Sequence, residues 1–306
     1  MFKILSTGSA LPALSKTNDD LSTFLDTSDE WISQRTGIRQ RSLCSDETLT
    51  DLLTVAAKQA LERAGVEPQQ LDLILCATIR GEYITPSQAC VIQQKLGAGC
   101  PAMDISAACT GFVYALDVAA GYFARKKVKK MLVLAGDTMS RLVDWSDRGT
   151  CILFGDGAGA VVLTAEEQET KACEKIHSDG EKGVSLTCEK GTYLQMDGRA
   201  VFQFALSRVP EVIREVLAEA DMAVEEIDAF ILHQANSRII DGVAKRLKAP
   251  KEKFPRNIEA YGNTCAASIP ILLDEWNRSG RAQKGQRIVL SGFGAGLIWG
   301  AAYLEW

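Results

Sequence analysis

The sequence predicts an α/β protein built from two duplicated halves. A helix–loop–strand unit occurs twice, and its landmarks repeat at one offset. Leu61 and Leu217, Ala64 and Ala220, Asp72 and Asp228 are each 156 positions apart (217 − 61, 220 − 64, 228 − 72). The same offset pairs Met131–Gly136 with Arg287–Gly292, and Cys109 with Cys265. It is about half of the 306 residues, and self-similarity at a fixed spacing marks a repeated supersecondary unit.

Each element can be justified in order. A first strand precedes an insertion-like region, Leu11 to Ser45, that holds Trp31, Arg35, Arg39 and Arg41. From Leu49 to Ala64, apolar residues at 49, 52, 53, 56, 57, 60, 61 and 64 make one helical stripe, which Gly65 ends. Leu71–Leu75 reads as a buried strand. A short apolar strand then gives way, across Ile105–Phe112, to a helical pattern that opens near Cys109. Met131–Gly136 reads as a strand and is followed by a loop from Asp137 to Phe154 and the Gly-rich run Gly155–Leu163.

In the second half, Val209–Ala220 reads as helix and Ile227–Leu232 as strand, with His233 at the strand end. Asn263 precedes a helix. Arg287–Gly292 then runs directly into Phe293–Leu304. The first half therefore has an extra loop of roughly 15 residues, the usual place for function to be added to a scaffold. The halves divide at residues 1–165 and 166–306.

Composition narrows the function. Hydrophobic residues at 46% and charged residues at 24% suit an ordinary globular core. A net charge of −5 argues against a general nucleic-acid surface. Nine cysteines, an odd number with no C-x-x-C pair, fit neither a disulfide framework nor a zinc site. No metal is expected, and a reducing cytoplasm is the expected setting. The N-terminus turns polar too soon for a signal peptide. No apolar run reaches the roughly 18 residues of a membrane span, so no membrane partner is expected.

Cys109 is the leading candidate nucleophile. A helix N-terminus offers unpaired N–H groups and the positive end of the dipole, and both favour a thiolate. The chain has only two histidines, which nearly forces His233 as the imidazole partner. Asn263 joins them because a pseudo-twofold would bring the two helix starts together across the middle of the protein. Two chemistries remain open for such a trio. The imidazole deprotonates the thiol and the amide orients it, giving hydrolysis or acyl transfer. Alternatively, the helix dipole activates the thiol while His Nε2–H and the Asn amide donate to one developing oxyanion.

Several motifs resemble the β-ketoacyl-acyl-carrier-protein synthase III family. These are Ala108–Phe112, His233–Asn236, Gly262–Pro270, Ser28–Trp31 with Arg35–Ile38, Asp147–Thr150 and Phe154–Gly159. The resemblance runs end to end in motif order. It implies the thiolase-like fold, two halves in a five-layered α/β/α/β/α arrangement, and a homodimer. It also implies a decarboxylative condensation of an acyl-CoA primer with malonyl-acyl-carrier protein that initiates fatty acid biosynthesis, with no resident cofactor.

By the same resemblance Cys109 is acylated, His233 and Asn263 stabilise the thioester enolate, and the N–H groups of Cys109 and Ala295 hold the acylation oxyanion. Trp31 and Arg148 flank the adenine of CoA. Thr27 and Arg35 lie near the nucleotide, and Gly198, Phe202 and Asn236 lie along the pantetheine arm. Gln234, Ala235, Asn236, Ser237 and Arg238 meet the acidic carrier protein, extended by Lys245 and Arg246. Thr85 and Phe293 border the acyl pocket. Thr85 stands where some members carry Phe, and its smaller size implies room for a longer or branched primer, while Thr110 is a milder departure. Ala295 stands where many members have glycine, and a positive φ there would be strained.

Relatives within the same fold are separated by residues. A thiolase would need a second cysteine in Phe293–Gly296, which has none. An elongating condensing enzyme would need a second site histidine where Asn263 stands. A relative that primes a polyketide or acts as an acyltransferase is the alternative that keeps every motif. Outside the fold, a papain-like hydrolase would also use Cys, His and Asn, and a binding protein would hold CoA without acylation.

Overall fold

The computed structural model describes residues 2–166 and 172–306. β1 (Phe2–Ala10) leads into the insertion, where β2 (Leu14–Thr17) pairs with β3 (Gln40–Leu43) around the helices α1 (Asn18–Ser22) and α2 (Asp29–Thr36). α3 (Leu49–Ala64), β4 (Leu73–Ala77), α4 (Gln88–Leu96) and β5 (Ala102–Ile105) follow, then α5 (Gly111–Ala124), β6 (Lys130–Thr138) and β7 (Asp156–Ala165). The second half contains β8 (Cys173–Ser178), the short strands β9 (Leu186–Thr187) and β10 (Gln195–Met196), α6 (Gly198–Glu219), β11 (Ala229–Leu232) and α7 (Ser237–Leu247). It closes with α8 (Ile258–Tyr261), α9 (Ser268–Arg278), β12 (Arg287–Gly294) and β13 (Ile298–Glu305).

Besides the two-stranded pairs β2–β3 and β9–β10, the strands form two larger sheets in matching order, β1-β7-β6-β4-β5 and β8-β13-β12-β11. Parallel and antiparallel pairings correspond: β4–β6 and β11–β12 are parallel, β6–β7 and β12–β13 antiparallel. The second sheet has no counterpart of β5. Residues 258–261 turn helically there instead, as α8.

The layers follow from which elements each helix touches. α3 packs on β1, β6 and β7, and α6 on β8, β12 and β13, so each covers an outer face. α5 and α9 each touch both sheets and form the shared middle layer. This is the five-layered α/β/α/β/α architecture. Its central core runs from Leu75, Phe112 and Val133 through to Ile231 and Leu290, each fully buried. All strands of the first sheet lie within 1–165 and all of the second within 166–306. Among the described residues no helix is long and apolar enough to cross a membrane.

The repeat needs one correction. The 156-residue offset holds for β4 and β11, but it becomes 157 from the nucleophile turn onward. Met131 pairs with Leu73 and Ile288 with Ala229, so β6 and β12 are 157 apart (288 − 131). The turn hydrogen bonds Thr110 N–H→Ala107 O and Ala267 N–H→Thr264 O shift by the same 157. One extra residue thus precedes the second turn, and charge explains the register. At 156, Arg287 would occupy the fully buried place of Met131, whereas at 157 it matches the half-exposed Lys130. The counterpart of Cys109 is therefore Ala266, and Cys265 corresponds to Ala108. Both of the latter hold a left-handed backbone, at φ 53 and φ 40.

Element boundaries shift for local reasons. α3 starts and stops as expected, because Thr48 and Asp51 form a capping box and Gly65 takes φ 61. α6 begins eleven residues earlier than its stripe suggested (209 − 198). Asp197 caps it by accepting from the Arg199 and Ala200 N–H groups, and burial of Val201, Phe204 and Ala205 carries it through Pro210.

Candidate active site

Cys109 lies in a single 3₁₀ turn, Ala108–Thr110, that leads into α5. The left-handed Ala108 just before it is a costly conformation for a residue with a Cβ, of the kind that accumulates at functional sites. Gly294 at the end of β12 makes the next contact. A Cβ there would sit 2.8 Å from the Cys109 backbone nitrogen, so only glycine leaves that N–H open.

His233 continues the β11 register, its N–H donating to Ser291 O at 2.8 Å. The ring is 3% exposed and stands edge-on to Phe293, 5.5 Å between centroids. Its Nδ1 lies 2.6 Å from Ser268 Oγ in the first turn of α9. The same hydroxyl oxygen accepts the Gln234 N–H at 3.3 Å, which leaves the hydroxyl proton for Nδ1. That assignment places the imidazole proton on Nε2.

Asn263 is pinned by the extra loop of the first half. Its N–H donates to Leu153 O at 2.8 Å, and its carbonyl accepts the Gly155 N–H at 3.0 Å. Gly262, at φ 69, permits this approach, since a Cβ would fall 2.9 Å from Leu153 O. Asn263 Oδ1 accepts the Cys265 N–H at 2.9 Å, so the amide NH₂ is the end left to donate.

The three side chains line one narrow cavity of about 80 Å³ with Phe154, Leu186, Met196, Gly198, Phe202 and Asn236 among its walls. Cys109 is 6% exposed. Its thiol is held well below the usual range by the hydrogen bond from Cys265, then by that from His233, against the opposing effect of burial. Burial pushes Cys265 up and keeps it a thiol. Burial also pushes the Asp137 carboxyl, which faces Cys265, up to about 7.

At the mouth, two guanidinium groups stand over the Trp31 ring, Arg35 at 4.4 Å and Arg148 at 5.1 Å from its centroid. Arg148 also donates to the Asp26 carbonyl. Asn236 Nδ2 donates to Arg35 O at 3.0 Å while Oδ1 caps α7. Thr27 Oγ1 is buried without a partner. Ser237 is half-buried, and Arg238, Lys245 and Arg246 are exposed along α7, with Arg238 5.4 Å from the Phe202 ring.

Three expectations change. Gln234 is 1% exposed and internally paired, Nε2 to Leu232 O and Oε1 to Asn257 N–H, so it braces the loop and cannot reach a partner protein. Thr85 is exposed and lines neither the Cys109 cavity nor its neighbour. Ala295 lacks a positive φ; Gly296 carries the unusual φ of 144, so alanine is unstrained. Ala295 borders a second cavity of about 420 Å³, with Ile79, Ala108, Leu142, Leu186 and Leu194, beside the nucleophile turn. Ser268 and the Leu153–Asn263 pairing had no sequence signal of their own, whereas Gly294 lay in a Gly-rich turn that sequence alone could mark as close to the oxyanion. Only Ser268 could have been sought, as the first polar residue of the helix after Asn263.

The duplicated five-layer fold is the thiolase-type architecture of the 3-oxoacyl-[acyl-carrier-protein] synthase III structures on which the chain superposes. The pattern for 3-oxoacyl-[acyl-carrier-protein] synthase III matches residues 103–180, and that for its C-terminal part matches 217–306. The chain belongs to the 3-oxoacyl-[acyl-carrier-protein] synthase III family. It is 44% identical to β-ketoacyl-[acyl-carrier-protein] synthase III of Clostridium perfringens, over 99% of this chain and 98% of that one. It superposes on the crystal structure of the Aquifex aeolicus 3-oxoacyl-[acyl-carrier-protein] synthase III with a TM-score of 0.98, at 45% identity and 100% coverage of both chains. A priming β-ketosynthase from a polyketide biosynthetic pathway gives 0.95 at 35% identity, covering 100% of this chain and 96% of that one.

Proposed function

We propose that the protein condenses an acyl-CoA primer with malonyl-acyl-carrier protein, the initiating step of fatty acid synthesis. The Cys109 thiolate attacks the acyl-CoA carbonyl and the CoA thiolate leaves. The Cys109 N–H, with that of Ala295, stabilises the oxyanion. Malonyl-carrier protein then loses carbon dioxide, and its enolate oxygen accepts from His233 Nε2–H and the Asn263 amide. The enolate carbon attacks the acyl-cysteine, the C–S bond breaks, and 3-ketoacyl-carrier protein departs. No resident cofactor enters this reading, and cytoplasm and a homodimer accompany it.

The observation that carries the proposal is the convergence of Cys109, His233 and Asn263 at one end of an apolar passage whose outer residue, Asn236, bonds the Arg35 backbone. The orphan hydroxyl of Thr27 and the Arg–Trp–Arg cluster suit a nucleotide with phosphates. The cavity of about 420 Å³ beside the turn suits a primer larger than acetyl. The polyketide-priming relative at 35% identity keeps that pathway as the second reading. A panel of acyl-CoAs offered with malonyl-carrier protein tests the proposal: stoichiometric carbon dioxide and ketoacyl product support it, and free acid alone refutes it.

Two surface variants separate the substrates. Trp31→Ala removes a ring held by two cations, worth about 0.5–2 kcal/mol, so KM for acyl-CoA should rise roughly 2- to 30-fold with kcat little changed. An unchanged KM would move the nucleotide elsewhere. Arg238→Glu should raise KM for malonyl-carrier protein severalfold and spare transfer from acyl-CoA to Cys109. Equal loss with both substrates would count against a docking role for α7.

A further inference from the structure

Cys265 and Asp137 are fully or almost fully buried beside the nucleophile and have no task in the reaction above. Cys265 Sγ lies 3.4 Å from Cys109 Sγ and is placed to donate its one thiol proton there, with the buried Asp137 carboxyl on its other side. The carboxylate is fixed from above. Oδ1 accepts from the Thr78 hydroxyl at 3.0 Å and the Ile79 N–H at 2.7 Å, and Oδ2 faces the Ala266 N–H at 3.4 Å.

The 157-residue relation explains why this arrangement exists. Ala266 is the counterpart of Cys109, and Asp137 on β6 is the counterpart of Gly294 on β12 (294 − 137). Gly294 leaves the Cys109 N–H open. Asp137 instead places a carboxylate over the equivalent Ala266 N–H, so the second turn is capped from within. The same carboxyl lies beside Cys265, whose backbone is left-handed at φ 53 and whose sulfur stands 3.4 Å from that of Cys109.

We propose that Cys265, packed against Asp137, is a positioning residue whose thiol donates its one hydrogen bond to the Cys109 sulfur, keeping the nucleophile ionised and aimed into the passage. The charged form of Cys109 is favoured whenever a donor faces it. The groups that face it are Cys265 from the turn before α9 and His233 from the end of β11, with Asp137 of β6 behind Cys265. The inference rests on the reading of Cys109 as the nucleophile.

The test is the pH dependence of Cys109 alkylation by iodoacetamide, resolved by peptide mass spectrometry in the full-length protein. Cys265→Ala should move the midpoint upward by at least one unit, about a ten-fold loss of thiolate below it. Cys265→Ser, which keeps a donor, should restore most of the shift. Cys265→Gly, which tolerates φ 53, stands in if the alanine variant does not fold. A purely structural role would slow alkylation at every pH and leave the midpoint in place, and that result would overturn the proposal. Acylation of wild-type Cys109 by acyl-CoA is measured alongside. Its absence would sink the nucleophile reading itself, whereas normal acylation with an unmoved midpoint sinks only the role of Cys265.

Discussion

Cys109→Ala leaves no acyl adduct on the protein after incubation with acyl-CoA and lowers condensation by at least about four orders of magnitude, because covalent catalysis loses its only attacking atom. The expectation is specific, since the chain has eight other cysteines, none of them in a disulfide. Cys44, Cys76 and Cys151 are pushed upward by burial and are poor nucleophiles. Cys265 is the one sulfur near enough to substitute, and burial keeps it protonated beside the vacated position. Intact-protein mass spectrometry decides the point. An adduct of undiminished yield in the variant would remove Cys109 from the mechanism.

His233→Ala and Asn263→Ala should each reduce decarboxylation of malonyl-carrier protein by about 10²–10³, the usual cost of one oxyanion donor in a buried site. Transfer from acyl-CoA to Cys109 should persist, because the acylation oxyanion is assigned to backbone N–H groups. The thiol is lowered first by Cys265 and only then by His233, so the imidazole is not the sole source of the thiolate. The two half-reactions are read separately, by acyl-adduct formation and by release of labelled carbon dioxide. Equal loss in both for His233→Ala would favour a Cys–His base pair of the hydrolase kind.

Much of this site was legible because its groups sit at element ends. His233 follows an apolar strand and Cys109 opens a helical pattern, so both positions could be read from periodicity. Asn263 could be placed by the repeat, although the repeat was misread by one residue beyond β11. A one-residue slip costs little in an apolar strand where every position is buried, and Met131–Gly136 gave no polar landmark. The neighbour Arg287 was the landmark, and only strand pairing revealed its half-exposed counterpart, Lys130.

What stayed hidden depends on long-range contact. The carboxylate of Asp137 and the hydroxyl of Ser268 act across 128 and 35 positions of chain (265 − 137, 268 − 233), where no local pattern carries information. Gln234 looked like part of an exposed motif, yet its side chain satisfies two backbone groups indoors. Thr85 was assigned to the acyl pocket by resemblance, and within the chain it is exposed and lines neither cavity.

The most direct measurement follows one acyl group through both half-reactions. The protein is loaded with labelled acyl-CoA, freed of excess substrate, and mixed with malonyl-carrier protein while intact mass and carbon dioxide are recorded. The account predicts that the acyl mass on Cys109 disappears in step with one carbon dioxide and reappears as 3-ketoacyl-carrier protein. Loss of the label as free acid, without carbon dioxide, would contradict it.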